Sequence, residues 1–417
     1  NCAIGAMRID IRVGRKGTAA EKALRHNLYL LDIDNVLIYP GGYRESFFRT
    51  INYFMRAMGW KDSNSHQSAA QVFEAHGITN EWDMCAICLS GLFVAVAGKI
   101  PDVSFSESVL DALDIVKTSG IPRQEVNFSQ LAREVATDIK PSETHLPALA
   151  ASRVFDSIIR STCDPKVHDP IRVLIDHILS TARDIEKSRT MSIFQNYALG
   201  SVNFVKTYSI PSIFETSSLI VEHDVPVLSS SNCENLLSAS VKKEIRPVVF
   251  TARPSLAPRG VHDEAHYYSP EAELAVELVG LESIPMIGSG RTEWLAWETG
   301  DDPNSFIKPA LIHALAAIAA AISEDEVSGL MAANTFLKKG ILSGPLSDLV
   351  GKELFVTVFE DSARSIESVS EVLVLLREFG VESALCAKGI AVDHEKRRLL
   401  SAAGATLFDD VNVAMTN

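Results

Sequence analysis

Residues 28–37 read LYLLDIDNVL. An apolar run with the length of a buried strand ends on two carboxylates, Asp32 and Asp34. Burying either as an anion costs several kcal/mol unless a cation or hydrogen bonds compensate. Something else in the chain must therefore meet them. Three further runs have the same character: PVVFT at 247–251, LFVTVF at 354–359 and SALCA at 383–387. Continuous apolar runs of this length suit strands covered on both faces, as in a parallel sheet. Helical patterns lie between them. The segment 308–322 has helical composition, and 366–379 repeats apolar residues at helical spacing before stopping at Gly380. Alternating strands and helices predict an α/β fold with a Rossmann-like, doubly wound parallel sheet.

That core is interrupted. Thr251 follows Asp32 by 219 positions, too many for a crossover, and much of that stretch reads as helix: 44–58, 66–76, 80–98, 106–117, 146–161 and 169–186. The expected organisation is a core domain built from 1–38 and 246–417, with a mainly helical domain inserted over 39–245. Asp32 then sits at the mouth between the two. Ligands of open α/β sheets bind at the carboxyl ends of the strands, where Asp32, Thr251 and Asp361 all fall.

Composition bounds the partners. The chain has 417 residues, 47% hydrophobic and 22% charged, which fits a globular protein with a large core. With 39 Lys+Arg against 53 Asp+Glu the net charge is −14, and no long basic run occurs, so nucleic acid and anionic membrane surfaces are not expected partners. The apolar stretch ALIHALAAIAAAI at 310–322 falls short of the roughly 18–20 residues of a membrane span. No charged segment followed by an apolar one opens the sequence, so a cytoplasmic location is expected. The six cysteines (Cys2, Cys85, Cys88, Cys163, Cys233, Cys386) are scattered, which fits reduced thiols better than a disulfide framework.

The polar residues at the strand ends make chemical sense together. Asp32 and Asp34 close the first strand, Thr251 the second, Lys308 precedes Pro309 at an expected helix start, and Glu360 with Asp361 closes the strand at 354–359. Taken singly, each has an ordinary role as a cap, a turn or a helix opening. Converging carboxylates repel one another, and a hard divalent cation, Mg2+ for preference, relieves that repulsion. A lysine and a threonine hydroxyl beside the metal offer donors for an oxyanion, so a phosphoryl group is the expected guest. Asp32 is placed to attack it as a nucleophile, and Asp34 to give and take the proton.

In their order these segments resemble the four motifs of the haloacid dehalogenase-like (HAD) superfamily. The resemblance implies Asp32 as nucleophile, Asp34 as general acid/base, and Thr251, Ala252 and Lys308 as phosphate ligands. For the metal it implies Asp32, Asp361, Glu360 and the backbone carbonyl of Asp34. YRESFFRTI at 43–51 and HGITNEWDM at 76–84 resemble the helical C1 cap of subfamily I members. The sequence departs from the family at Asn35 and Ala252, where Gly is usual, and at Ser365, without deleting a reactive group. The implied function is a Mg2+-dependent phosphatase hydrolysing a small phosphorylated metabolite through an aspartyl-phosphate. The alternatives are a phosphomutase or phosphotransferase of the same superfamily, or a non-catalytic binding protein with the same fold.

Arg253, Arg291 and Trp82 are candidate substrate contacts. Arg291 lies in IGSGRTEW at 287–294, a glycine loop without a P-loop lysine. Glu81 and Asp83 flank Trp82 at the same expected cleft. HDEAH at 262–266 lacks the HExxH order and sits between Gly260 and Pro270, which makes it a weak metal motif. Cys85 and Cys88 read as buried thiols in a helix.

Overall fold

The computed structural model describes residues 25–63, 69–76, 78–100, 105–140 and 147–416. Residues 1–24 of the expected core domain, with Cys2, lie outside the described residues. So do Gly77, positions 66–68 and residue 146 at the starts of two expected helices.

Six strands form one parallel sheet in the order β5-β4-β1-β6-β7-β8: β1 Arg25–Leu31, β4 Arg246–Phe250, β5 Met286–Ile287, β6 Glu353–Glu360, β7 Glu382–Ile390 and β8 Thr406–Phe408. Two further short strands, β2 Ile38–Tyr39 and β3 Val225–Pro226, pair antiparallel apart from it. The four strands expected from apolar runs are β1, β4, β6 and β7. The two-residue β5 and three-residue β8 are too short to carry a pattern.

Both faces of the sheet are covered, which is why its strands read as continuous apolar runs. Leu28, Leu30, Val248, Phe250, Val356 and Val358 pack against the helices Leu311–Ser323, Glu326–Lys339 and Ala363–Glu378. Leu31, Val249, Met286 and Phe359 pack on the opposite face against Ser230–Val241, Glu271–Val279 and Val411–Thr416. Leu311–Ser323 is almost wholly buried because its alanines let sheet and neighbouring helix come close. A Cβ on Gly329 would stand 2.6 Å from the Ala320 nitrogen, so that helix pair tolerates only glycine there.

A second set of helices forms the inserted body: Gly41–Ala57, Ala69–Ala75, Glu81–Ala97, Val109–Thr118, Phe128–Asp138, Pro147–Thr162, Pro165–Ser180, Arg189–Tyr208 and Leu219–His223. They share a core of their own, including Phe47, Phe54, Phe73, Phe93, Phe155 and Phe194. Helices expected at 44–58, 80–98 and 106–117 are present within a few residues. That at 169–186 is instead Pro165–Ser180 followed by turns, and Phe128–Asp138 and Arg189–Tyr208 had no expectation. Ser230–Val241 lies before the expected boundary at 245/246, yet Cys233 and Leu236 pack with Leu31 and Val249 of the sheet.

Body and sheet domain are tied by polar contacts: Arg183 Nη1 donates to Asn304 Oδ1 at 3.0 Å, and Gln195 Nε2 donates to Glu271 Oε1 at 2.7 Å. Among the described residues no helix is long and apolar enough to cross a membrane.

Candidate functional site

The sheet register decides which side chains meet. Leu31 of β1 pairs with Val249 of β4 on one side and Phe359 of β6 on the other. The Asp32 N–H then donates to the Phe359 carbonyl at 3.1 Å, carrying the pairing one residue past the strand. One residue on, Asp32 therefore stands level with Phe250, the last residue of β4, and Glu360, the last of β6, with Thr251 one position further along.

Lys308 closes this group. Its Nζ donates to Asp32 Oδ1 at 2.9 Å, to Glu360 Oε2 at 2.6 Å and to the Phe250 carbonyl at 3.0 Å, and lies 4.2 Å from the centre of the Phe250 ring. Asp32 is 6% exposed and Glu360 0%. Burial pushes both carboxyls above their usual range, Glu360 far above it; Lys308 opposes the shift, while repulsion from Asp361 and Asp34 adds to it at Asp32 and repulsion from Asp32 and Asp361 adds to it at Glu360. Burial also works against the Lys308 charge, but Asp32 and Glu360 outweigh it and hold the ammonium above the ordinary lysine range. Lys308 does not open a helix as expected. It lies in the turn between the 3-10 turn Pro303–Phe306 and the helix that begins at Leu311. A residue in a helix would have its side chain directed by the helix surface; in the turn it reaches back across the strand ends.

Asp361 follows Glu360, and its Oδ2 accepts from Lys396 Nζ at 2.6 Å and Asn35 Nδ2 at 3.0 Å. Asn35 has φ 59°, the left-handed region that glycine and asparagine adopt most readily, so Asn replaces Gly without distorting the turn after Asp34. Oxygen atoms of Asp32, Glu360 and Asp361 lie within 4.8 Å of one another. Three hard oxygen donors, two of them buried and the third partly so, fit a small divalent cation, and Lys308 and Lys396 supply positive charge to the same group. The Asp34 carboxylate is not part of that set.

Asp34 is instead gripped by Arg253. Arg253 Nε donates to Asp34 Oδ1 at 2.9 Å and Nη2 to the same oxygen at 2.6 Å, while Nη1 donates to Asp224 Oδ2 at 3.0 Å. Its guanidinium sits 4.4 Å over the Tyr43 ring. Burial opposes the Arg253 charge, but Asp34, Tyr43 and Asp224 raise its pKa well above the ordinary value. Far from forming a surface pair, Arg253 is 2% exposed and spends its donors inside the protein.

Thr251 is buried; its N–H donates to the Ile287 carbonyl at 3.1 Å and its Oγ1 accepts from the Arg253 N–H at 3.2 Å. Ala252 is exposed beside it. Behind them His313 bonds through Nε2 to the Ile287 carbonyl at 2.9 Å, and burial lowers its pKa to about 3, so it is a neutral packing residue.

Arg291 is not brought to this group as a free cation. It is 2% exposed, donates to the Leu256 carbonyl at 2.9 Å and to Glu326 Oε2 at 3.2 Å, and pairs with Glu273. Asp83 is likewise committed, to Arg183 Nη2 at 2.6 Å. Trp82 is partly buried against the body's apolar core. Glu81 is raised well above the usual carboxyl range by burial, with Glu74 and Asp34 adding repulsion. His266 Nδ1 donates to Asp263 Oδ2 at 2.9 Å, and the ring stacks on Trp297. Cys85 and Cys88 are fully buried and free.

Lys396, Asp224, Tyr43 and Glu271 are the participants that sequence reasoning missed. Lys396 sits in the first turn of a helix capped by Asp393, and nothing local signals that it reaches Asp361. Tyr43 O–H donates to Glu271, which also accepts from Ser269 Oγ at 2.8 Å.

No protein-family model and no curated protein matches the chain. Among solved structures it is similar to the X-ray structure of a Northeast Structural Genomics Consortium target, with a TM-score of 0.58 and 12% identity over 94% of this chain and 97% of the other. That likeness shows the fold: an α/β protein with a Rossmann-like parallel sheet and extensive helical regions. At this identity it carries no activity with it.

Proposed function

We propose that the chain is a HAD-like phosphoric monoester hydrolase, a Mg2+-dependent phosphatase acting on a small phosphorylated metabolite, with the helical body as its cap. The observation that carries the reading is the meeting of Asp32, Glu360 and Asp361 within 4.8 Å, with Lys308 on two of them. Bound Mg2+ would supply the positive charge that lets an anionic phosphoryl group approach these carboxylates.

Lys308 holds Asp32 by Oδ1, and no hydrogen bond among the described residues claims Oδ2. Oδ2 attacks phosphorus; the new O–P bond forms as the ester P–O bond breaks, and the leaving oxygen takes a proton from Asp34. In the second half Asp34 removes a proton from water, whose oxygen attacks the aspartyl-phosphate, and phosphate departs while Asp32 is restored. On this reading Thr251 Oγ1 and the Ala252 backbone, which follow β4 at the strand end next to β1, serve as phosphate ligands.

Purified protein with Mg2+ should release phosphate from 4-nitrophenyl phosphate or from a panel of metabolite phosphates, and Asp32→Asn should reduce release to background. Full activity in that variant refutes attack by Asp32. Transfer of the group to an added alcohol rather than water would identify a phosphotransferase.

A further inference from the structure

The chain leaves the sheet domain and returns to it through one narrow neck. It exits along β2 into the helix Gly41–Ala57 and comes back through Leu219–His223, Asp224 and β3, which pairs with β2. The two passes are pressed together: a Cβ on Gly41 would lie 2.2 Å from the His223 carbonyl oxygen, and one on Gly42 2.5 Å from the Ile220 Cα. They are also bonded, since the Gly42 N–H donates to Asp224 Oδ1 at 2.8 Å. The other oxygen of Asp224 accepts from Arg253, whose remaining donors hold Asp34. One buried guanidinium thus spans the outgoing turn of β1 and the returning strand of the neck, with the first-turn residue Tyr43 of the outgoing helix against its face.

From this geometry we propose that Arg253 is a positioning residue that fixes the orientation of Asp34 according to the position of the neck, so that the set of the helical body governs proton delivery to the leaving group. The inference rests on the reading of Asp34 as proton donor given above. Arg253 makes no contact that requires it to touch substrate; its part is to hold Asp34. A planar fork can bridge two carboxylates at once, and a lysine, with a point charge, cannot reproduce both contacts. Any shift of the neck that moves Asp224 pulls on the same guanidinium that orients Asp34.

The test uses leaving groups of different quality. A 4-nitrophenolate departs without a proton, whereas an alkoxide needs one, so a misplaced Asp34 slows the first half-reaction of alkyl phosphates selectively, while its part in activating water is common to both esters. With enzyme in excess, Arg253→Lys and Asp224→Asn should each lower the single-turnover rate of alcohol release from an alkyl phosphate roughly tenfold or more, with 4-nitrophenolate release from 4-nitrophenyl phosphate changed less than about threefold. Asp34→Asn should show the same selectivity in this leaving-group step while slowing steady-state turnover of both esters, and adding Asp224→Asn to it should cost nothing further in that step, because the two act through one group. Equal losses for both substrates, no loss in either variant, or full additivity with Asp34→Asn overturns the proposal while leaving the phosphatase reading intact. Absence of phosphate release from either ester by the unaltered protein overturns both. Asp224→Asn keeps size and shape, so it tests the link even if Arg253→Lys does not fold.

Discussion

Replacing Lys308 by methionine removes the ammonium while keeping the aliphatic stem that packs on Phe250. Asp32 and Glu360, 6% and 0% exposed, are then left beside each other without their shared cation. Two buried anions will not persist, so at least one carboxyl takes up a proton. Unfolded carboxyls titrate near 4, and each pH unit above that costs about 1.4 kcal/mol to hold the proton, which gives about 4 kcal/mol at pH 7 and about 1.4 kcal/mol at pH 5. That falls in the range of about 3–5 kcal/mol seen when one partner of a buried ion pair is removed. The sign follows from the direction of the shifts. Asp32 and Glu360 are raised above their unfolded values by burial, so the folded state binds their protons more tightly, and the penalty grows as pH rises from about 4 through the folded values. Lys308 is itself held above its ordinary value, so its contribution in the parent protein is constant up to pH 8 and is lost only above the ordinary lysine range. Hydrogen exchange of peptides covering β1 and β6, measured in EDTA at pH 5 and 7 with correction for intrinsic rates, reads the difference at the site itself. A loss below about 1 kcal/mol at pH 7, or an equal loss at both pH values, would show that Lys308 does not neutralise this pair.

Two further perturbations probe the same strand ends. Asn35→Gly should fold normally and lose only its hydrogen bond to Asp361, whereas Asn35→Val should cost about 1–2 kcal/mol by thermal or chemical unfolding, since a β-branched side chain resists a positive φ. Equal stability of the two variants would contradict the left-handed turn. Mg2+ at a hundredfold excess over its dissociation constant should stabilise the protein by about 2.7 kcal/mol, read as a rise in melting temperature, and Asp361→Asn should abolish the rise. An undiminished rise in that variant would place the cation elsewhere.

Much of the sheet was legible in the sequence because a strand buried on both faces announces itself locally. LYLLDI, PVVFT, LFVTVF and SALCA are continuous apolar runs, and each became a strand. The short β5 and β8 were not legible, since two or three residues pair only because a longer neighbour is already in place. The sequence also points to Lys308 as a member of the group, but Pro309 after it predicts a helix start there. The helix opens instead at Leu311, once the chain has turned.

Arg253 and Arg291 mark the boundary between the two kinds of information. Both follow a strand end by a few residues, and both looked equally fit to meet a ligand. Arg253 meets Asp34 and Asp224, while Arg291 meets Glu326 and Glu273. Nothing near either residue in the chain predicts these partners, which come from elements up to 219 positions away. The sequence by itself determined the alternation of strands and helices, the long helical insertion and the set of charged residues at the strand ends, because apolar periodicity and burial are properties of short stretches. Which charge neutralises which, and how the neck reaches Asp34, was decided only by the tertiary structure. A buried ion takes whichever counter-ion the packing brings within hydrogen-bond reach, and that choice is made when the elements assemble.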